Sequence, residues 1–187
     1  MNVVRYKAPG GIESLGVIGT DDPGAPGSSE IRVRIRGSSL NGHDYHVALG
    51  ILPVDEGRVL MSDGAGEVEA VGSDVKEVAV GDHVVSTFFP DWQSGDAPRA
   101  TFARTPGDGI DGYAAEAVVQ PANFFTRMPH NWNFTDAATL PTAGLTAWRE
   151  SRSWANSSQA VMYWYLAPAV YPSSHSSLQR AEARESS

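Results

Sequence analysis

The sequence contains no cysteine. This absence excludes disulfide bonds, thiolate zinc sites and a cysteine nucleophile. The chain also lacks the run of about 20 apolar residues that a membrane-spanning helix needs. Its first residues lack the apolar core of a signal peptide. From these absences we expect a cytoplasmic protein that does not contact a membrane.

Positive charge is scarce, with 14 Lys and Arg against 22 Asp and Glu and a formal net charge of −8. A nucleic-acid-binding surface needs clustered basic side chains, so we expect no nucleic-acid partner. At 187 residues, the chain has room for one domain, or for one domain and a tail.

Glycine is missing from the C-terminal part of the chain. All 19 glycines precede Arg149, whereas residues 151–187 contain ten serines and no Gly, Asp or Lys. This change predicts a domain over residues 1–149 and an unrelated, disordered tail over residues 150–187. The apolar cluster at residues 163–166 has no evolved partner in that tail and predicts a tendency to aggregate.

The N-terminal part has the pattern of a β protein. Residues 30–36 (EIRVRIR) alternate strictly between polar and apolar, which predicts a half-buried strand with Ile31, Val33 and Ile35 facing the core. Further strands are predicted by apolar runs between Gly- and Asp-rich turns, at residues 3–6, 14–18, 67–71, 83–88 and 113–119. Many short strands with such turns predict a mainly β, barrel-like fold with short helices.

Few helices are expected. Residues 44–49 predict a short helix closed by Gly50, and Thr135 is the predicted N-cap of another, which Pro141 interrupts. A further helix is expected from residue 143. Residues 90–111 predict a long surface loop, and loops of that length are often functional.

Three segments together resemble the GroES-like domain of the medium-chain dehydrogenase/reductase superfamily. They are SLNGHD at 39–44, DGAGEVEAVG at 63–72 with VGDHV at 80–84, and ATLPTAGLTAW at 138–148. The resemblance covers residues 1 to about 149 and is closest to the zinc-free, quinone-oxidoreductase-like branch. It implies a partly open barrel that forms one wall of an NAD(P)-dependent active site, with the nucleotide bound by a separate Rossmann domain.

The glycine pair Gly64 and Gly66 does not predict that Rossmann domain. The third glycine of a dinucleotide fingerprint would fall at Glu69, and no strand–turn–helix unit surrounds the pair. We interpret the pair as a tight turn that enters a strand.

The resemblance also implies that the catalytic zinc of related enzymes is absent. Asn41, Ser62 and Thr142 stand where zinc-dependent relatives have a Cys, a His and a second Cys, and none of the three is a usual zinc ligand. His43, Asp44, His46 and Asp63 fit no known metal-binding spacing. We therefore expect no zinc.

By the same resemblance, Asn41, His43 and His46 are the candidate catalytic residues. Asn41 would donate a hydrogen bond to a substrate oxygen, and the two histidines lie where relatives place a proton relay. His46 fits a relay and an exposed helix residue equally well. Asp44 is expected to fix the loop by bonding backbone amides.

Aromatic and threonine side chains complete the candidate site. Asp63, Phe88 and Trp92 are assigned to the substrate. The rings of Phe88 and Trp92 could stack on a planar acceptor such as a quinone. Phe88 fits a core position as well. Thr142 and Thr146 match positions near the nicotinamide in relatives and are assigned to the cofactor.

The tail itself suggests a shifted reading frame. Reading from the third base of each codon, Met162 to Tyr165 must encode Val-Leu-Val, and the following codons permit a Gly-x-Gly-Gly turn. These are the parts of a phosphate-binding strand–turn–helix. A frameshift between about residues 149 and 154, in the gene or in its sequencing, would explain the loss of the Rossmann domain.

We therefore expect the substrate-side domain of a zinc-independent NAD(P)-dependent oxidoreductase, acting on a small molecule and inactive alone. Relatives often dimerise through the Rossmann domain, so the resemblance does not support oligomerisation of this chain. The alternative is a non-catalytic GroES-like module that binds a partner protein.

Overall fold

The computed structural model of the chain describes residues 1–95 and 101–155, without the side chains of residues 101–102 and 152–155. The described part is built around β-strands, and its helices are short, which confirms the predicted fold class. The strands and α-helices are β1 (Asn2–Val4), β2 (Val17–Gly19), β3 (Glu30–Ser39), α1 (Gly42–Ala48), β4 (Asp63–Val71), β5 (His83–Ser86), β6 (Ala117–Pro121), β7 (Phe125–Arg127), α2 (Phe134–Ala137) and α3 (Leu145–Ala155).

The main sheet is open and antiparallel. Its strand order is β6-β3-β4-β5-β7, and β1 and β2 form a separate two-stranded sheet. The long strand β3 pairs with β4 on one side and with β6 on the other. Register shifts after Arg32 and after Ile35 mark bulges in the β3–β4 ladder, and bulges bend a strand and increase its twist.

The predicted alternation of β3 is present in the structure. Ile31 and Val33 are fully buried, and the Arg34 and Arg36 side chains point to solvent. Ile35 is half-buried and packs against the same core. That core is made of branched and aromatic residues from several strands, namely Ile31, Val33, Val68, Val75, Val78, Val84, Tyr113, Val118, Phe124 and Phe125. Each full burial of a Val or Ile side chain contributes roughly 1.5–3 kcal/mol.

Two glycines of β4, Gly64 and Gly66, allow close approach of neighbouring residues. A Cβ at Gly64 would lie 2.7 Å from Cγ of Tyr113, and one at Gly66 would collide with the carbonyl oxygen of Arg34 on β3. Both glycines lie inside the strand, paired with β3. The two glycines therefore allow close packing within the sheet, and they do not form a dinucleotide fingerprint. The tight turn predicted at this pair is wrong, because both residues lie within β4.

The helix boundaries correct two predictions. Asn133, and not Thr135, caps α2, because Asn133 Oδ1 accepts the backbone N–H of Asp136 at 2.8 Å. Helix α1 begins at Gly42, two residues before the predicted start, and ends at Ala48. Gly50 follows with a φ of 73°, a left-handed conformation that glycine adopts without strain.

The structure also differs from the prediction at two strands and at the predicted loop. The strand expected at 113–119 covers only Ala117–Pro121, and β7 was not predicted. Residues 90–111 are not simply a surface loop, since Pro90, Thr105 and Pro106 are buried. Residues 106–110 form a closed turn, in which Pro106 makes a parallel bridge with Ile110.

The residues Met1–Leu145 form one compact unit, and a second unit starts at Thr146. Helix α3 runs to Ala155 without a break at Arg149. The rest of the predicted tail, residues 156–187, lies outside the described residues, and so do the apolar cluster and the frame-shifted segment. None of the helices in the described part is long and apolar enough to cross a bilayer.

Candidate active site

The centre of the candidate site is the carboxylate of Asp63, the first residue of β4. Its side chain is fully buried. Oδ1 accepts a hydrogen bond from Thr142 Oγ1 at 2.7 Å. Oδ2 accepts hydrogen bonds from Ser39 Oγ at 2.8 Å and from Asn41 Nδ2 at 2.9 Å. The network thus joins the end of β3, the start of α1, the start of β4 and the segment before α3.

Burial and hydrogen bonding act on Asp63 in opposite directions. Desolvation raises the pKa of the Asp63 carboxyl, because burial disfavours the charged form. The hydrogen bonds from Thr142, Asn41 and Ser39 lower that pKa, while the nearby charge of Asp44 raises it further. The net shift is upward. A buried charge is tolerated when donors surround it, and the three donors provide that compensation.

Asp44 fixes the backbone around the site. It is buried, with Oδ2 accepting the N–H of Asn41 at 2.8 Å and Oδ1 accepting the N–H of Ser62 at 2.7 Å. The first bond is one half of a capping box at the start of α1, with Asn41 as N-cap. The second ties this helix to the residue before Asp63. These bonds confirm that Asp44 holds the loop through backbone amides.

Thr142 reaches Asp63 from an unusual turn. Residues Leu140–Gly144 form one π-helical turn, in which the N–H of Gly144 donates to the carbonyl of Thr139, five residues earlier, at 3.0 Å. Pro141 is buried at the start of this turn. π-helical turns are rare and are frequently found at functional sites. Here the turn brings the Thr142 hydroxyl to the carboxylate.

His43 lies in the first turn of α1 and contacts two other segments. Its ring meets that of Phe88 edge to face, with centroids 5.4 Å apart and an interplanar angle of 81°. Its Nε2 lies 3.2 Å from Oδ2 of Asp108. The alignment falls outside hydrogen-bond geometry, and Nε2 is shielded from solvent. The two atoms form a close polar contact beside the Phe88 ring.

The aromatic residues form a continuous row beside His43. Phe88 and Phe89 meet edge to face with centroids 4.6 Å apart, and Phe89 and Trp92 lie 6.3 Å apart. All three are half-buried. The Trp92 indole N–H donates to the carbonyl of Gly95 at 3.0 Å. Phe88 therefore contacts the candidate site on one side and the aromatic row on the other.

The structure brings some of the predicted residues together and leaves others apart. Asn41, Asp63 and Thr142 share one network, and His43 contacts Phe88. His46 is exposed, with its ring 6.3 Å from that of Tyr45, and no bond to the network is found among the described residues. Thr146 is exposed on α3, in the second unit.

Two residues of the site were missed at the sequence level. Ser39 belongs to the SLNGHD segment, and its position at the end of a strand could have indicated it. Asp108 lies in an irregular segment rich in Gly and Pro, where no periodicity or motif marks it.

One open surface groove lies away from the predicted site residues. An open groove of about 650 Å³ is lined by residues such as Glu77, Phe125 and Arg127, and it contains none of the predicted site residues. The Asp63 network is instead a packed polar cluster.

The side chains at the three positions that the resemblance matches to zinc ligands are not usual zinc ligands. Asn41 and Thr142 both direct hydrogen-bond donors at Asp63. The Ser62 hydroxyl is buried and has no hydrogen-bond partner in the described part of the chain. Zinc sites are built from thiolate, imidazole and carboxylate ligands, and across residues 1–95 and 101–155 no three such side chains gather in a metal-binding arrangement.

The described residues also do not supply a nucleotide site. Within residues 1–95 and 101–155, no strand is followed by a glycine-rich turn and a helix in the arrangement that cradles a pyrophosphate. Of the two predicted cofactor residues, Thr142 donates its hydroxyl to Asp63.

Comparison with known proteins identifies the domain. Residues 27–130 match the alcohol dehydrogenase GroES-like domain. A zinc-type alcohol dehydrogenase-like protein of Schizosaccharomyces pombe is 36% identical over 121 residues, which are 64% of this chain and 35% of that protein.

Solved structures of alcohol dehydrogenases and quinone oxidoreductases are also similar to this chain. A NAD-dependent alcohol dehydrogenase is 34% identical with a TM-score of 0.70, over 80% of this chain and 46% of its own. The quinone oxidoreductase of Coxiella burnetii is 26% identical with a TM-score of 0.63, over 80% and 43%. The chain thus spans less than half the length of these relatives. On the match to residues 27–130, the chain belongs to the alcohol dehydrogenase GroES-like domain family.

Proposed function

We propose that this chain carries the substrate-side catalytic domain of an NAD(P)-dependent oxidoreductase, which transfers hydride to or from a quinone, an enone or an alcohol/carbonyl substrate. Family membership supports the reaction class, and the names of the relatives include alcohol dehydrogenases and a quinone oxidoreductase. The observation that carries the proposal is the Asp63 network, because it orders polar groups at the positions where the resemblance places catalytic zinc ligands.

The proposed reaction does not use zinc. The amide of Asn41 and the hydroxyls of Ser62 and Thr142 make a poor zinc site, and two of the three are bonded to Asp63. A conjugated acceptor needs no Lewis acid, since hydride adds to an electrophilic carbon and the negative charge moves to oxygen. A single well-placed hydrogen-bond donor then stabilises that oxygen.

Asn41 is proposed as this donor. Its Nδ2 carries two hydrogens, of which Asp63 accepts one. The second remains available for a substrate oxygen. The bond to the buried carboxylate also fixes the orientation of the amide, since the carbonyl end would meet the negative charge. The role of Asp63 toward the substrate is therefore indirect, through the side chain that it orients.

The histidines are proposed to handle the proton. The ordinary titration range of histidine spans neutral pH, which suits a group that gives and takes a proton. His43 is held against Phe88 and Asp108. The exposure of His46 is compatible with the outer end of a relay that reaches water and with a plain surface residue. Phe88 and Trp92 are proposed to stack on the planar acceptor.

The chain by itself is proposed to be inactive. The nicotinamide supplies the hydride, and transfer requires it within about 3–3.5 Å of the acceptor carbon. The described residues contain no cradle for its phosphates. Purified chain mixed with NADPH or NADH and 1,4-naphthoquinone should therefore show no consumption above background. Turnover at an enzyme-like rate would contradict this proposal.

Binding of the quinone tests the site directly. In a titration of ¹⁵N-labelled chain with 1,4-naphthoquinone, we expect the largest shift changes at the Asn41 side-chain amide, His43, Phe88 and the Trp92 indole. Asn41→Ala should weaken binding, and Asn123→Ala, at an exposed asparagine outside the site, should not. Shift changes confined to the groove beside Arg127 would contradict the proposal.

The alternative function is a non-catalytic module that binds a partner protein. The tail residue proposed to be shielded by such a partner, Trp164, lies outside the described residues. Limited proteolysis separates the two ideas. Removal of the tail to leave a stable core ending near residue 150 favours the oxidoreductase domain, whereas protection of Trp164 by a defined partner favours the binding module.

A further inference from the structure

The contact between His43 and Asp108 joins two segments that no sequence pattern connects. Nε2 of His43 lies 3.2 Å from Oδ2 of Asp108, and each side chain keeps a quarter of its surface exposed. Nε2 itself is shielded from solvent. Asp108 thus places a carboxylate beside this nitrogen, although the alignment of the two atoms falls outside hydrogen-bond geometry.

The carboxylate is held in place by its own turn. Oδ1 of Asp108 accepts the N–H of Gly109, which leaves Oδ2 to face His43. Gly109 and Ile110 both donate to the carbonyl of Thr105, at 2.9 and 3.1 Å. Thr105 is buried. Asp108 is therefore a fixed group at the tip of a closed turn.

This turn rests against the backbone of the candidate site. Gly107 adopts a φ of +90°, and a Cβ on it would lie 3.1–3.2 Å from the backbone of Met61 and Ser62. Those residues directly precede Asp63. A side chain at Gly107 would be strained at this φ and would press on the backbone of Met61 and Ser62.

Other contacts also hold the His43 side chain in place. The His43 backbone lies in the first turn of α1, which Asp44 and Asn41 cap, and the imidazole ring meets Phe88 edge to face. In the neutral ring one nitrogen carries the proton and the other carries a lone pair. A carboxylate beside one nitrogen favours the proton there, as in the oriented histidines of catalytic and metal sites.

We propose that Asp108 is a positioning residue for His43, which keeps the imidazole proton on Nε2 and leaves a lone pair on Nδ1. In the oxidation direction Nδ1 takes the proton of the substrate hydroxyl, and in the reduction direction the resulting imidazolium returns that proton to the same oxygen. The proton-transfer part rests on the proposed function, whereas the tautomer is a property of the unliganded chain. Among the described residues, no group bonds to Nδ1, so this nitrogen is available for the exchange.

The tautomer is measured by NMR of the imidazole nitrogens in ¹⁵N-labelled full chain, at a pH where the rings are neutral. We expect His43 to be protonated at Nε2 and unprotonated at Nδ1. Exposed His130 gives the internal reference for a ring without a fixed partner. Protonation of His43 at Nδ1 would overturn the proposal, and this measurement needs no variant that must fold.

Variants separate positioning from simple packing. Asp108→Ala should shift His43 toward the tautomer mixture of His130, and Asp108→Glu should restore the Nε2–H form at least in part. Asp111→Asn changes a neighbouring aspartate that bonds Val59 and Arg58, and it should leave His43 unchanged. An Asp108→Ala spectrum with an unaltered His43 would overturn the proposal. A failure of naphthoquinone to bind would instead count against the proposed function and leave the tautomer result standing.

Discussion

The hydroxyl of Thr142 donates a 2.7 Å hydrogen bond to Oδ1 of Asp63, across 79 residues of chain. This bond connects the π-helical turn before α3 to the first residue of β4. It is the longest-range member, in sequence, of the network that orders Asn41.

Thr142→Val tests the contribution of this bond. The valine keeps the shape and leaves a buried carboxylate oxygen without its donor, so we expect a loss of roughly 1–3 kcal/mol in the free energy of unfolding. Thr139→Val is the matched control, because Thr139 also donates a 2.7 Å bond but is exposed. Its loss should stay within about 0.5 kcal/mol. Urea unfolding measures both, and equal losses would contradict the account.

Asp63→Asn tests the pH dependence that follows from burial. The pKa of Asp63 is raised above its ordinary value of 3.8, so the folded state binds this proton more tightly than the unfolded state. The contribution of Asp63 to stability is therefore full below that value and declines as pH rises toward the folded-state pKa.

The Asp63→Asn variant lacks this decline. It is less stable overall, because its amide nitrogen replaces one acceptor oxygen and leaves at least one of the three donors without a partner. We expect its deficit relative to the natural chain to shrink as pH rises through this window and to be constant above it. Urea unfolding at several pH values measures the deficit, with Asp21→Asn, at an exposed position, as the control. A deficit that grows with pH would show that the sign is wrong.

Gly66→Ala tests the close pairing of β3 and β4. The new Cβ would collide with the carbonyl oxygen of Arg34, which belongs to the backbone and cannot rotate away. We expect a loss of roughly 1–3 kcal/mol. Gly19→Ala is the control, because a Cβ there meets nothing within 4 Å. Thermal unfolding that ranks the control below Gly66→Ala would contradict this packing.

Asn133→Ala tests the corrected start of α2. Loss of the bond from the Asp136 N–H to Asn133 Oδ1 should cost about 1 kcal/mol, typical of an N-cap. Thr135→Ala, at the cap predicted from sequence, should change the free energy of unfolding by less than about 0.5 kcal/mol. The opposite ranking in urea unfolding would restore the sequence-based assignment.

The sequence predicted the parts of the fold that local periodicity controls. The alternation at residues 30–36 located β3 and the burial of Ile31 and Val33, because side chains of a strand alternate between its faces. The cap of α2 was placed wrongly because Asn133 and Thr135 are both good N-cap residues. Only the backbone geometry, with Phe134 already helical, decides between them.

The site could be predicted in part. The resemblance indicated Asn41, Asp63 and Thr142, but their shared hydrogen bonds depend on tertiary packing that no local pattern encodes. Asp108 shows the limit most clearly, since its role depends on a turn closed by Thr105 and pressed against the residues before Asp63. His46 was a candidate by position in the motif, and the structure leaves it exposed.

By the resemblance, the hydrogen-bonded Asp63 carboxylate lies among the positions that hold catalytic zinc in related enzymes. Calorimetric titration of metal-stripped chain with zinc tests the proposal that zinc does not bind there. We expect no one-to-one binding at micromolar zinc, in the natural chain or in the Thr142→Val and Asp63→Asn variants. One-to-one zinc binding by the natural chain that either substitution weakens would contradict it.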